Sequence, residues 1–552
     1  MQTTNSNSRI DGPLTGTRKK PRLEEASTGV SVGMDVTIQN KIKPAFLHLP
    51  EEIHAKIIRN LDFREVTRLA RVCKYLRDLV KNNNARERAW YRRFPSPCQY
   101  QLKTIAMTKN RQQLRGWLKP FASRDTVESL LEQRKCNYFP ALLLFTNSKL
   151  MSQCETFKLV KKARMSQKRH ITKATFSTDS CHVLTRNMGR EVKIYGQKTG
   201  GSWEEKTTIS HDKYISSATF SPDNRHVLTA CYAGKAKICE LGDDGSWEVK
   251  TAISHRYLLR SANFSADGDH VVTASDDGVK IYGHETGGSW EEKATVHHDC
   301  SVYSASLSSG GRHLLVIDRN DTATIYVQED DGSWTVKDTF THGDTITSAT
   351  FSNDGRHLVT ASKDGTVKIC DLQDDESWKE IATISHGDPV NSAEFSADSL
   401  RVVTASSSNM AKIYGQKAPG SWVKEATIAH KEIVNSAHFS ADGRHVVTAS
   451  RDNKAKIYGQ KAPGLWVKKA TITHKGWVRS ATFSVDGCHV LTVGLDKTVK
   501  IYGLGPDGSW VKKAVIRREH DIELATISAD GRQVLTVDQF NELKITELRR
   551  KD

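Results

Sequence analysis

From residue 159 to the end of the 552-residue chain, apolar and polar positions follow one another in short runs of strand length, four runs to a unit of 44 residues. In one copy the runs read WVKEATI, VNSAHFS, RHVVTAS and AKIYG, alternating in polarity or rich in Val, Ile, Thr and aromatics, with Asp-Gly, Gly-Gly or Pro-Gly pairs at turns. The Ala of the second run falls at Ala174, Ala218, Ala262, Ala305, Ala349, Ala393, Ala437, Ala481 and Ala525, with one interval of 43 and the others of 44. Four antiparallel strands per unit predict a propeller blade, and nine copies without insertion predict one closed β-propeller over 159–552. A run of the first type also precedes the first copy, as LVKKARMSQ at 159–167 with Leu159 where other copies carry Trp. Pairing of this run with the last copy, 524–548, would close the ring and remove two exposed sheet edges.

Ahead of the repeats the pattern is helical. Over 45–94, Pro50 suits a first helical position, and Ile53, Ile57, Ile58 and Leu61 then share one face. Asp62 and Glu65 read as a capping box opening a second helix with Val66, Leu69, Val72, Cys73, Leu76 and Val80 inward, and a third short helix carries Trp90 and Phe94. Three such short helices have more apolar surface than they can cover among themselves, so a partner helix is expected to share it. Residues 1–44 are too polar to build a core and are expected to be disordered, with a basic cluster at Arg18–Arg22 of the kind used in nuclear import. Residues 95–158 are predicted as a helical spacer interrupted at Pro120 and Pro140, whose apolar run 141–145 packs under the ring.

Composition narrows the function classes. The formal net charge is +17, but residues 1–158 carry 29 Lys and Arg against 14 Asp and Glu, leaving 52 against 50 in the repeats. A propeller gripping nucleic acid through its phosphates would hold the excess itself, so nucleic acid is not the expected partner. The ten cysteines show no CxxC pair or ligand spacing, and no apolar run is long enough to span a bilayer. Neither a metal nor another cofactor is expected, and no membrane. His211, His255, His298, His342, His386, His430 and His474 recur once per copy, so they cannot converge on one metal, and repeated Ser, His and Asp denote architecture where a hydrolase needs one specialised site. Eight of the tryptophans from Trp203 to Trp510, all but Trp477, are likewise one per blade and read as packing residues.

Two resemblances give these modules a meaning. LHLPEEIHAKIIRNLDFREVTRLARVCKYLRDL followed by Trp90 resembles an F-box, which implies docking on the Skp adaptor of cullin-based ubiquitin ligases through Leu49, Pro50, Ile53, Ile57, Leu61, Val72 and Leu76. The repeat resembles a WD repeat. His342, Ser362 and Asp364, and again His430, Ser450 and Asp452, match three members of that family's buried hydrogen-bond tetrad. The family's closing Trp-Asp is replaced by Tyr458-Gly459 or Tyr502-Gly503. The resemblance implies an F-box protein with a WD-type propeller, having no catalytic residues of its own, that recruits a target to a Skp-cullin ligase. The alternative is a WD scaffold without a ubiquitin role.

With the scaffold written so uniformly, the positions that differ between copies on one rim are the candidate binding surface: Arg260 and Asp276, Tyr303 and Arg319, Thr347 and Lys363, Asn391, Asn435 and Arg451, and Trp477 with Arg479. A mixture of Arg, Tyr, Trp and Asn is what protein-recognition hot spots favour. Arg260, Arg319, Arg451 and Arg479 could hold a phosphorylated target, as related F-box propellers do. The expected location is the cytoplasm or nucleus of a eukaryotic cell, which would be a host cell if the source were bacterial.

Overall fold

The computed structural model describes residues 51–61, 63–92, 99, 103, 111–118, 122, 124–136, 138–198, 201–285, 288–505 and 507–551. The expectations for 1–50, Asp62 and Phe94 lie outside the described residues. By compactness the chain divides at Ile57/Ile58.

Nine four-stranded antiparallel sheets form the blades. Blade 1 comprises Ile171–Phe176, His182–Asn187, Glu191–Gln197 and Trp203–Ser210, its strands called a to d from the inside outward, and blades 2 to 8 repeat this order. Blade 9 takes strands a to c from Ile522–Ile527, Gln533–Asp538 and Glu542–Arg550, while its strand d is Phe157–Ser166, from the opposite end of the repeats. The register of that closure runs antiparallel from Phe157 opposite Arg550 to Ser166 opposite Glu542. The pairing anticipated from the stray LVKKARMSQ run is therefore the one the chain uses.

The core lies between blades. Leu184, Val192 and Ile194 of blade 1 pack with Ile215, Val227 and Trp247 of blade 2, and the same arrangement follows around the ring to Leu535 and Ile545 of blade 9 against Ile171 and Tyr195 of blade 1. No blade can cover its apolar faces alone, which is why the unit must be repeated and closed. The strand d tryptophans add a second tie. Trp247 meets His182 of the preceding blade edge-on with ring centroids 5.7 Å apart, and Trp510 meets His445 at 5.5 Å.

A buried histidine anchors the loop before strand a in most blades. His342 Nε2 is 2.8 Å from Thr360 Oγ1 and its Nδ1 3.1 Å from Asp364, and His430 repeats this with Thr448 and Asp452. Ser362 and Ser450 do not hold the imidazole as expected. Each lies two residues beyond the Thr, at the strand end, where Ser362 Oγ donates to Asp344 O at 2.6 Å and accepts from Asp364 N at 3.0 Å. Blade 1 seats Gln167 in place of His, its Nε2 donating to Thr185 Oγ1 at 2.7 Å. Blade 9 seats Arg518, bonded to Thr536 at 2.7 Å and Asp538 at 2.9 Å. In blade 4 the strand c tyrosine joins the network, Tyr326 Oη lying 2.8 Å from His298 Nδ1. Burial tends to raise the Asp364 carboxyl, but hydrogen bonds from Thr366 and from the Gly343 amide bring it down to about 2.

Among the described residues seven α-helices precede the ring: α1 Glu51–Asn60, α2 Phe63–Leu69, α3 Lys74–Asn82, α4 Ala85–Arg92, α5 Arg111–Leu118, α6 Arg124–Glu132 and α7 Phe139–Gln153. The single helix expected from Val66 to Val80 is broken, because Cys73 is extended (φ −152°, ψ 170°) and restarts the chain as the N-cap of α3. Trp90 lies on α4 as anticipated, and Pro140 sits in the first turn of α7. The run 141–145 does pack under the ring: Leu144 and Trp90 meet Ala529 in the a–b turn of blade 9. Beside them Trp117 Nε1 donates to Asp530 at 2.9 Å, and the buried Arg532 guanidinium lies 4.0 Å over the Trp117 ring while donating twice to Asn147 Oδ1. The C-terminal carbonyls of α7 are met by the buried Lys513 of blade 8, whose Nζ donates to Ser152 O and Cys154 O.

Two outcomes follow from ring closure and from the buried histidines. Leu548 is buried with Phe157, Met151 and Ile522 at the closing seam, so Leu548→Ala should cost about 2–5 kcal/mol and lower the first calorimetric transition, whereas Leu465→Ala at an exposed position should leave it in place. Burial brings His211 and His386 down to about 4 from an ordinary 6.5. Below pH 6.5 the unfolded chain takes up protons that the folded blades refuse until about pH 4, so these two sites subtract stability as pH falls through that window. Replacing both by Gln, the residue blade 1 already uses, should make the melting temperature less steep over that range, and an unchanged slope would contradict the assignment.

Candidate functional site

At one end of every blade the loop entering strand a lies against the turn between strands b and c. Backbone bonds fix this: Tyr232 N donates to Tyr214 O at 3.0 Å, Lys363 N to Thr345 O at 2.9 Å, Arg451 N to Ile433 O at 3.0 Å and Leu495 N to Trp477 O at 2.9 Å. Strand a then carries a bulge in all nine blades. In blade 3 the pairing skips Arg260 between Leu259 and Ser261, and in blade 8 it skips Arg479 between Val478 and Ser480. A bulge leaves its residue outside the ladder and re-aims it, so Arg260, Tyr303, Thr347, Asn391, Asn435 and Arg479 form one inner circle at the mouth of the channel. Arg319, Lys363 and Arg451 belong to the outer circle of b–c turns. The sequence-derived residues are thus gathered on a single face.

Their individual states differ. Trp477 is 50 % exposed, and the Arg451 guanidinium lies 5.0 Å from its ring centroid. Tyr303 is exposed, with Arg260 5.9 Å from its ring while that arginine also pairs with Asp276 at 3.0 Å. Arg319, Lys363 and Arg479 are exposed, and Arg479 Nη1 also reaches Glu523 O at 3.3 Å in the next blade. Asn391 and Asn435 each donate 2.9 Å bonds to the next blade, to Val434 O and Val478 O, so their amides are engaged in joining blades as well as lining the mouth.

The sequence reading missed an apolar arc on the same face. Met188, Tyr214, Tyr232, Tyr257 and Leu258 are exposed at the rim of blades 1 to 3, and Phe540 at that of blade 9. With Tyr303 and Trp477, every exposed aromatic side chain among the described propeller residues lies on this one face. The signal was available: Tyr214 and Leu258 occupy the register of Trp477, and Met188 and Tyr232 that of Arg451. Charge is also segregated around the ring, a feature that the near-neutral total conceals. Residues 211–385 carry 16 Lys and Arg against 28 Asp and Glu, whereas 430–517 carry 15 against 6.

Of the residues expected to meet an adaptor, Ile53, Ile57 and Leu61 are half-buried and Val72 is 70 % exposed. Leu76 is 3 % exposed, on the buried face of α3 with Leu79 and Val80, which suits support of the helix more than direct contact. No group of three or more His, Cys, Asp or Glu among the described residues is arranged to hold a metal, and no described helix is long and apolar enough to cross a membrane.

The F-box domain family matches residues 46–88. The WD domain, G-beta repeat family matches 203–240, 247–282, 334–371, 378–415, 422–459 and 466–503. The stretches left unmatched contain strands a to c of blades 1, 4 and 9, two of which replace the anchoring histidine by Gln167 or Arg518, while the third moves its His298 partners to Tyr326 and Asp318. Solved structures similar to the chain include Sqt1 from Chaetomium thermophilum, at 14% identity over 62% of this chain and 97% of that one with a TM-score of 0.47. Another is the C-terminal WD40 domain of Sif2, at 16% identity over 60% and 95% with a TM-score of 0.45. No curated protein sequence matches the chain. Neither matched family is an enzyme family, and with a helical F-box ahead of nine WD-type blades the chain is an F-box and WD-repeat protein.

Proposed function

We propose that this chain is the substrate-recognition subunit of a Skp-cullin-F-box ubiquitin ligase. The F-box holds the Skp adaptor and through it the cullin, and the rim face of the propeller holds the target. The observation that carries this reading is the joint presence of an F-box and of a propeller whose exposed aromatics all lie on one rim. Such a subunit needs no catalytic group, because tethering raises the effective concentration of target beside the ubiquitin-loaded enzyme.

On that face Tyr214, Tyr257, Leu258, Tyr303 and Trp477 supply rigid apolar anchors, which is what protein hot spots are built from. Arg319, Lys363, Arg451 and Arg479 supply cations over blades 4 to 8 for an acidic or phosphorylated part of the target. Arg260 is already neutralised by Asp276, so it serves that role less directly than the other three arginines. A complex of this kind works in the cytoplasm or nucleus of a eukaryotic cell, and a bacterial source would make the chain an effector acting in its host.

Replacing Leu49 and Pro50 together by Ala should abolish co-purification of the Skp adaptor and cullin from a eukaryotic lysate while the melting transition of the propeller is retained. Adaptor binding that survives this change would remove the basis for a ligase role and favour a WD scaffold.

A further inference from the structure

Blade 1 departs from the repeat at two positions that face each other. Lys173 on strand a stands where seven other copies carry Ser and the last carries Leu524. Arg186 on strand b stands where five copies carry Ala and the others Ile317, Val493 and Val537. The two are directly opposite in the antiparallel register, and both reach toward blade 2. Lys173 Nζ donates to Ala218 O at 3.1 Å, while Arg186 donates to Ser216 O and, through Nε, to Thr172 Oγ1 at 3.0 Å. Among the described residues no carboxylate pairs with either.

Like charges directly opposite across two strands destabilise a sheet, and here the exposed Lys173 faces the half-buried Arg186 with no counter-charge between them. Burial pushes the Lys173 ammonium below its usual range, and the neighbouring Arg186 charge pushes it further. The rest of the ring shows the fold does not need this arrangement, since Ser and Ala serve at the same positions elsewhere. Lys173 keeps exposed surface and lines a cavity of about 860 Å³ along the inner wall of blades 1 to 5. Hydroxyls of Thr175, Thr178 and Thr219 and the amide of Asn263 share that wall. The carboxylate in the lining, Asp267, is already engaged by the Ser265 hydroxyl at 2.5 Å and the Asp269 amide at 3.0 Å. A cavity of this size falls in the range of about 300–1,000 Å³ that suits small ligands.

We propose that the channel wall between blades 1 and 2 binds a small polyanion, a molecule whose phosphate or carboxylate groups supply the counter-charge that Lys173 and Arg186 lack. The hydroxyl-bearing wall then receives the remaining polar groups of the ligand. Lys173 lines the cavity, whereas Arg186 reaches the bulged positions Thr172 and Ser216, so the site joins the channel wall to the inner circle of the rim; it does not depend on the ligase reading.

The test uses the full-length protein in a buffer free of phosphate and sulfate, with inositol hexakisphosphate as the phosphate probe and citrate as the carboxylate probe. Binding is followed by calorimetric titration and by the shift in melting temperature. At least one probe should bind and raise the melting temperature, and the better of the two identifies the anionic group. The variant Lys173→Ser with Arg186→Ala restores residues the other blades use, so it should fold, melt higher than the parent without ligand, and bind the probe at least about tenfold more weakly, the worth of one charged hydrogen bond. Absence of binding by both probes, or binding unchanged in the variant, would overturn the proposal.

Discussion

Everything in the propeller depends on one antiparallel pairing, that of Phe157–Ser166 with Glu542–Arg550. Because each stretch of core belongs half to one blade and half to the next, an open array would leave an apolar face at each end. The chain solves this by lending its first strand to its last blade. Two edges then vanish together, and a rim of nine similar loop pairs is held in one circle. The seam also fixes α7, whose last turn runs directly into the closing strand and whose carbonyls are capped by Lys513 of blade 8. Helices α4, α5 and α7 therefore meet the a–b turn end of blade 9, at Ala529 and Asp530. The candidate face is formed at the other end of the strands.

Much of this was legible in the sequence, because a 44-residue period with four strand-length runs leaves few architectures open, and the stray run before the first copy pointed to the closing strand. The helical region was less legible. Periodicity runs straight through Ala70–Cys73, yet the backbone breaks there, which turns Val72 outward and leaves Leu76 inside. Apolar spacing shows which residues could share a face, but it does not show where a helix is interrupted by a neighbour it must pack around.

The candidate face was half legible for a different reason. Comparing copies picked out residues that share one rim and the bulged position, and Trp477 proved exposed. The same comparison cannot tell a free side chain from one that bonds across a blade boundary, as Asn391 and Asn435 do. It also passed over the first two copies, where Met188, Tyr214 and Tyr232 lie. The histidine partner was misplaced by two residues, from Thr360 to Ser362, because both are hydroxyl residues of one strand and only the pleat decides which faces the imidazole. Overall charge misled in a similar way, since a near-zero sum hides an acidic arc and a basic arc on the same ring.

On the proposed function, one chain bridges an adaptor and a target, with the target on the rim. This is tested most directly by isolating complexes through a tagged Skp adaptor, with either the parent chain or a variant carrying Tyr257→Ala, Tyr303→Ala and Trp477→Ala, and quantifying by mass spectrometry what is carried along. Equal recovery of the chain and cullin is expected in both samples, with a set of additional proteins present with the parent and depleted at least about thirtyfold, a loss of roughly 2 kcal/mol, with the variant. An identical set of proteins in both samples would contradict it.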